Sequence, residues 1–124
     1  MKRIIHCLFV FLVIATVFSC KKDNSNCVEV KYVSGYCPKT GAALLELAKP
    51  NSNATSFTDE RGNVVYEIAL LNVPDTFKVK DKVFFVTYHY DADLGKPDAN
   101  ACNAFMGDVK IFVGDSVSET QCKD

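Results

Sequence analysis

Histidine is almost missing from this chain, with 2 in 124 residues: His6 lies in an apolar leader and His89 beyond it. A nucleophile needs a base within hydrogen-bond reach, most often histidine, so His89 is the one candidate for that chemistry. It falls in the run Val83 to Tyr90, on the face shared by Phe85 and Thr87, where a packed or edge histidine is the plainer reading. No CxxC pair occurs either, which removes the usual ligand spacing of a zinc site. Charge of one sign is also lacking. The 14 basic and 15 acidic residues give a formal net charge of −1, so there is no basic face to hold a nucleic acid backbone. A sustained apolar period of 3.6 is absent too, and the chain alternates at period two instead. Together these absences argue against an enzyme, a metal, a cofactor and a nucleic acid partner.

One acidic stretch has the beginnings of a cation site. Asp91, Asp93 and Asp98 resemble the opening of a calcium loop, which needs glycine at its sixth place and a bidentate glutamate at its twelfth. Counted from Asp91 those places hold Lys96 and Cys102. A solvated acidic loop is the reading that remains.

What is present begins with the leader. Lys2 and Arg3, the apolar run Ile4 to Phe18 and the small Ser19 are the parts of a secretory signal, and the run is short of the roughly twenty residues a membrane span needs. After Cys20 the segment Lys21-Lys22-Asp23-Asn24-Ser25-Asn26 is polar and reads as a tether. Val17-Phe18-Ser19-Cys20 resembles a bacterial lipobox, with an aliphatic residue three places before the cysteine and a small one immediately before it. That resemblance implies cleavage after residue 19 and acylation of Cys20 on its sulfur and its amine. Several acyl chains, at about 0.8 kcal/mol per buried methylene, anchor a protein where one chain binds only marginally. The partner implied is a membrane, reached through the N-terminal lipid.

Removal of residues 1–19 leaves about 105 residues, enough for one modest core, and takes the formal charge from −1 to −3. Of the 6 cysteines, Cys7 leaves with the leader and Cys20 carries lipid. Cys27, Cys37, Cys102 and Cys122 remain, an even set that reads as two disulfides in a small exported domain, with three connectivities open.

Taken in order, residues 27–124 read as mostly strand. Val28, Val30 and Tyr32 alternate with Glu29 and Lys31 as a half-buried strand would, and Ser34 to Gly41 supplies the turn. Ala42 to Ala48 has helical propensity, but so short a segment between a glycine and a proline is a marginal helix, and a strand is expected. Lys49 to Thr55 and Asp59 to Asn63 are polar and expected to face water. Val64 to Leu71 is apolar on both faces apart from Glu67, as in a strand covered on both sides or curved into a barrel. Asn72 to Phe77 is expected to hold a single helical turn, with Phe77 plugging the core. Val83 to Tyr90 is the strongest strand, Asp91 to Gly107 a long loop, Val109 to Val113 the last clear strand, and Asp115 to Asp124 a polar end.

Five strands with an extended connector between the third and fourth predict a small OB-like barrel. In that topology the loop after the first strand, with Cys37, and the loop before the last, with Cys102, stand at the same end. Cys27 and Cys122 flank the first and last strands, so the barrel implies the pairs Cys37–Cys102 and Cys27–Cys122. Tyr36, Tyr88 and Tyr90 are candidates for an aromatic ligand-facing patch near the two loops, although strand tyrosines often line a core with a wet hydroxyl.

The cysteine after the lipobox, the segment Asn72-Val73-Pro74-Asp75-Thr76-Phe77-Lys78, the strand Val83 to Tyr90 and the later cysteine are similar to small lipoproteins of Bacteroidetes and to the OB-like N-terminal part of NigD-like lipoproteins, which are longer and carry a second domain. The resemblance implies no activity. It implies anchorage in the bacterial cell envelope, at the outer membrane, on its periplasmic or surface side, with an envelope protein or a glycan as partner. Asp115-Ser116-Val117 looks like the O-glycosylation motif of the same phylum, with Ser116 as acceptor. The reading that follows is a lipid-anchored, non-catalytic binding or accessory module. A lysozyme inhibitor, also a small disulfide-bonded β lipoprotein, is the alternative, and an enzyme of unknown class the third.

Overall fold

The computed structural model describes residues 27–100, 102 and 108–122. The leader, Cys20 and the tether through residue 26 lie outside the described residues. Six strands are formed: β1 (Val28–Gly35), β2 (Ala43–Leu47), β3 (Thr55–Thr58), β4 (Val64–Leu71), β5 (Val83–His89) and β6 (Ile111–Ser118). β1 pairs with β2 and β5, β2 with β4, β4 with β6 and β6 with β5, which closes a five-stranded barrel. All of these pairs are antiparallel except β4 with β6. Among the described strands, closure leaves only β3 outside the ring, hydrogen-bonded to β4 alone.

Period-two alternation builds the interior. Val30 from β1, Leu45 from β2, Ile68 and Leu70 from β4, and Phe84 and Val86 from β5 are essentially inaccessible to solvent, each contributing about 1.5 to 3 kcal/mol of burial. Between β4 and β5 a single 3-10 turn, Asp75–Phe77, interrupts the extended chain. It aims Phe77 at the core, where its ring lies 5.1 Å from that of Phe84. The ammonium of Lys82 sits 4.6 Å from the centre of the same ring.

A second apolar cluster explains why β2 and β4 are apolar on both faces. Leu44 and Ala69, pointing away from the interior, are covered by Tyr36 and Ala42 from the first loop, by Val109 just before β6 and by Ile111 at its start. Phe57 of β3 and Leu71 close the margin of this cluster. The outer surface of β2 and β4 is therefore filled by the protein's own side chains.

Two elements depart from the sequence reading. Ser56 to Thr58 pair with β4 as part of a hairpin around the Asp59 to Asn63 turn, where the carboxylate of Asp59 accepts from the backbone N–H groups of Arg61 at 2.9 Å and Asn63 at 2.8 Å. One apolar residue, Phe57, was too little pattern to mark a strand. The polar run from Asp115 also belongs to β6 as far as Ser118. A bulge opposite Thr87 and Tyr88 shifts the register there, so the strand continues while its side-chain alternation is reset. Gly114, next to the bulge, lets β6 lie close to β4: a Cβ at that position would come 2.7 Å from the carbonyl oxygen of Leu71.

The cysteines pair as Cys27–Cys122 and Cys37–Cys102, with Cα separations of 6.0 and 5.7 Å. These are the pairs that the OB-like topology implies.

Candidate functional site

The loop Tyr36 to Ala42 is fastened to Asp98, Cys102 and Val109 by four kinds of contact. Cys37–Cys102 is the covalent one. The backbone N–H of Asp98 donates to the carbonyl of Pro38 at 2.8 Å. The Asp98 carboxylate accepts from the Lys39 ammonium at 2.9 Å and from the Thr40 backbone N–H at 2.7 Å. These bonds to the ionised form, with that to Lys39 the strongest, lower its pKa to about 2. Finally, the hydroxyl of Tyr36 donates to the carbonyl of Val109 at 3.4 Å and accepts that residue's N–H at 3.3 Å. Burial raises the pKa of the Tyr36 hydroxyl, the bond to Val109 opposes this, and the charge of Asp108 adds to the rise.

Asp91, considered above as a calcium ligand, instead organises its own turn. Its carboxylate accepts from the N–H groups of Asp93 at 2.9 Å and Leu94 at 2.8 Å. Those bonds, with that to Leu94 the stronger, hold its pKa below the usual carboxylate range. Gly95 closes the turn by donating to the Asp91 carbonyl at 2.8 Å. A side chain at Gly95 would strike the Asp91 carbonyl, the Tyr90 ring and the Ile111 carbonyl, so only glycine lets this turn lie flat against the barrel. Among the described residues no group of three or more His, Cys, Asp or Glu could hold a metal ion.

Where these loops meet the first residues of β6, a cleft of about 580 Å³ opens. Tyr36, Tyr90 and Phe112 form aromatic parts of its wall, and Asn53, Asp108 and Lys110 supply polar groups. The base of β3 is tied to this wall because the Thr55 hydroxyl donates to the carbonyl of Asp108 at 3.2 Å. A larger cleft of about 750 Å³ flanks Cys27–Cys122. Among the described residues its only aromatic group is Phe85 on the outer side of β5, beside the polar Glu29, Lys49, Asn51 and Gln121, whereas the loop junction brings several rings together.

The three tyrosines separate. Tyr36 and Tyr90 line the cleft, and the Tyr90 side chain is open to solvent, at 64% exposure. Tyr88 does not face a ligand. It is 3% exposed and lies in the barrel interior, its ring 4.9 Å from that of Phe112, because it alternates in phase with the interior residues Phe84 and Val86. His89 lies on the exterior with its Nδ1 2.7 Å from the Asp115 carboxylate. Half-exposed, it lines neither cleft. Ser116 is exposed on β6 directly across from Thr87, their hydroxyls 2.6 Å apart.

The sequence reading missed Asn53, Asp108 and Lys110. Asn53 lies in a segment read as loop, Asp108 at the edge of one and Lys110 within the last expected strand, and the contact between the β3 base and Asp108 helps bring them together. Comparison with known proteins finds no match to this chain among family models, curated proteins or solved structures.

Proposed function

We propose that this protein is a lipid-anchored, non-catalytic binding module of the bacterial envelope, with the loop junction as its ligand end. The leader and Cys20 support the anchor. The observation that carries the binding role is the fastening of two loops at the rim of an aromatic-lined cleft. A disulfide, an ion pair and a tyrosine bridge hold the walls before any ligand arrives, so little ordering cost remains on binding. His89 bonds to the Asp115 carboxylate on the outer side of the barrel and lines neither the loop-junction cleft nor the cleft beside Cys27–Cys122, so the binding role is argued without it.

Two measurements test this. Cys20→Ser should move the protein from the detergent phase to the aqueous phase without altering its circular dichroism; unchanged partitioning would remove the anchor. Hydrogen exchange of the full chain, with and without a bacterial envelope extract, should show protection concentrated at residues 36–42 and 90–98. No protection by any fraction would remove the binding role.

A further inference from the structure

We infer that the loop-junction cleft takes an uncharged glycan, an assignment that rests on the binding-module reading and narrows it to one ligand class. The first support is Tyr90. Its ring is exposed yet held: Phe112 meets it nearly edge-on at 6.2 Å and 74°, and the Gly95 backbone lies so close that a Cβ there would be 2.9 Å from Tyr90 Cε2. An aromatic ring fixed in place while open to solvent offers a flat platform. The face of a π system is negative, and the C–H bonds along one face of a pyranose present the complementary positive edge.

The polar rim narrows the class. Asn53 can donate and accept, Asp108 accepts and Lys110 donates. An anionic ligand would face Asp108 and a cationic one Lys110, whereas hydroxyl groups, which donate and accept, are served by all three. Nucleobases also stack on tyrosine, but a bound strand brings phosphates that need a basic groove. Among the described residues this lining supplies a single cation beside a carboxylate. The volume lies within the range of about 300 to 1,000 Å³ typical of small-ligand sites.

The test is a titration of the full nitrogen-15-labelled chain in detergent micelles with maltohexaose, cellohexaose, mannohexaose and chitohexaose, and separately with a deoxythymidine decamer. At least one hexasaccharide should shift the amides of Tyr90, Gly95 and Lys110. Tyr90→Ala should weaken that binding by about tenfold or more, Tyr90→Phe should preserve it, and Lys110→Gln should change it by less than about threefold because no ion pair is involved. Silence across the hexasaccharides, preference for the decamer, or abolition by Lys110→Gln would each overturn the glycan assignment. If the envelope extract still protects the loop junction in that case, the binding module stands and only its ligand class falls.

Discussion

Glu46 and Glu67 stand directly opposite one another on β2 and β4, and between them only Glu46 has a cation among the described residues, the Lys31 ammonium at 3.2 Å. Burial, and then the charge of Glu46, raises the pKa of Glu67. The native state therefore favours the protonated carboxyl. This contribution is fully present below the unfolded value near 4.3 and is lost as pH rises through the folded value.

Glu67→Gln should accordingly make the protein more stable at neutral pH, by under about 1 kcal/mol once solvent screening is counted. The gain should shrink in acid, where the parent carboxyl is already neutral. Thermal melts of both proteins from acid to neutral pH check this. A neutral-pH loss of stability would mean that Glu67 makes a favourable contact in its charged form.

Asp98 has the opposite sign. With its pKa lowered to about 2 by Lys39 and Thr40, it stabilises the fold above the unfolded carboxylate value of about 4, and that stabilisation is lost as pH falls through the folded value. Asp98→Asn should lower Tm at neutral pH and converge with the parent toward the acid end of this window. Parallel melting curves at every pH would show that the clamp does not depend on charge.

The two bridges should separate stability from loop order. Cys37 and Cys102 lie 65 residues apart and Cys27 and Cys122 lie 95 apart, so each closes a loop whose constraint on the unfolded chain is worth on the order of 3 to 5 kcal/mol. Replacing either pair by serine is expected to lower Tm. Only the Cys37/Cys102 change should also speed hydrogen exchange at residues 91–98, because that bridge alone joins the loops at the cleft. Equal acceleration in both variants would mean that the loops are ordered by the barrel as a whole.

Much of the barrel was legible because its strands are half-buried and alternate cleanly. Val28 to Tyr32, Val64 to Leu71 and Val83 to His89 announce themselves by apolar spacing, and their number and connector implied the cysteine pairs. β3 was not legible, since Thr55, Ser56 and Thr58 carry no apolar signal and a short polar edge strand is defined by its partner. Past Gly114 the last strand was hidden by a bulge, which breaks the alternation that would have extended it. At the candidate site Tyr36 and Tyr90 could be named, but Tyr88 could be sorted from them only by phase with Phe84 and Val86. Asn53 and Lys110 are ordinary polar residues until the fold places them on one wall.

The position of β6 in the chain, after every strand it pairs with, bears on when the ring can close. β6 supplies both bonds that complete the ring, to β4 and to β5, and it is the last of these strands to leave any ribosome or export channel. Until it arrives, two strand edges stay open and the apolar residues of β2 and β4 have no enclosed space to fill, the condition in which a growing chain is most exposed to mispairing. The bridge between Cys27 and Cys122 cannot form earlier either. Closure of this barrel thus waits on its C-terminal strand, and a chain cut short before Ile111 would leave β4 and β5 without the strand that closes them.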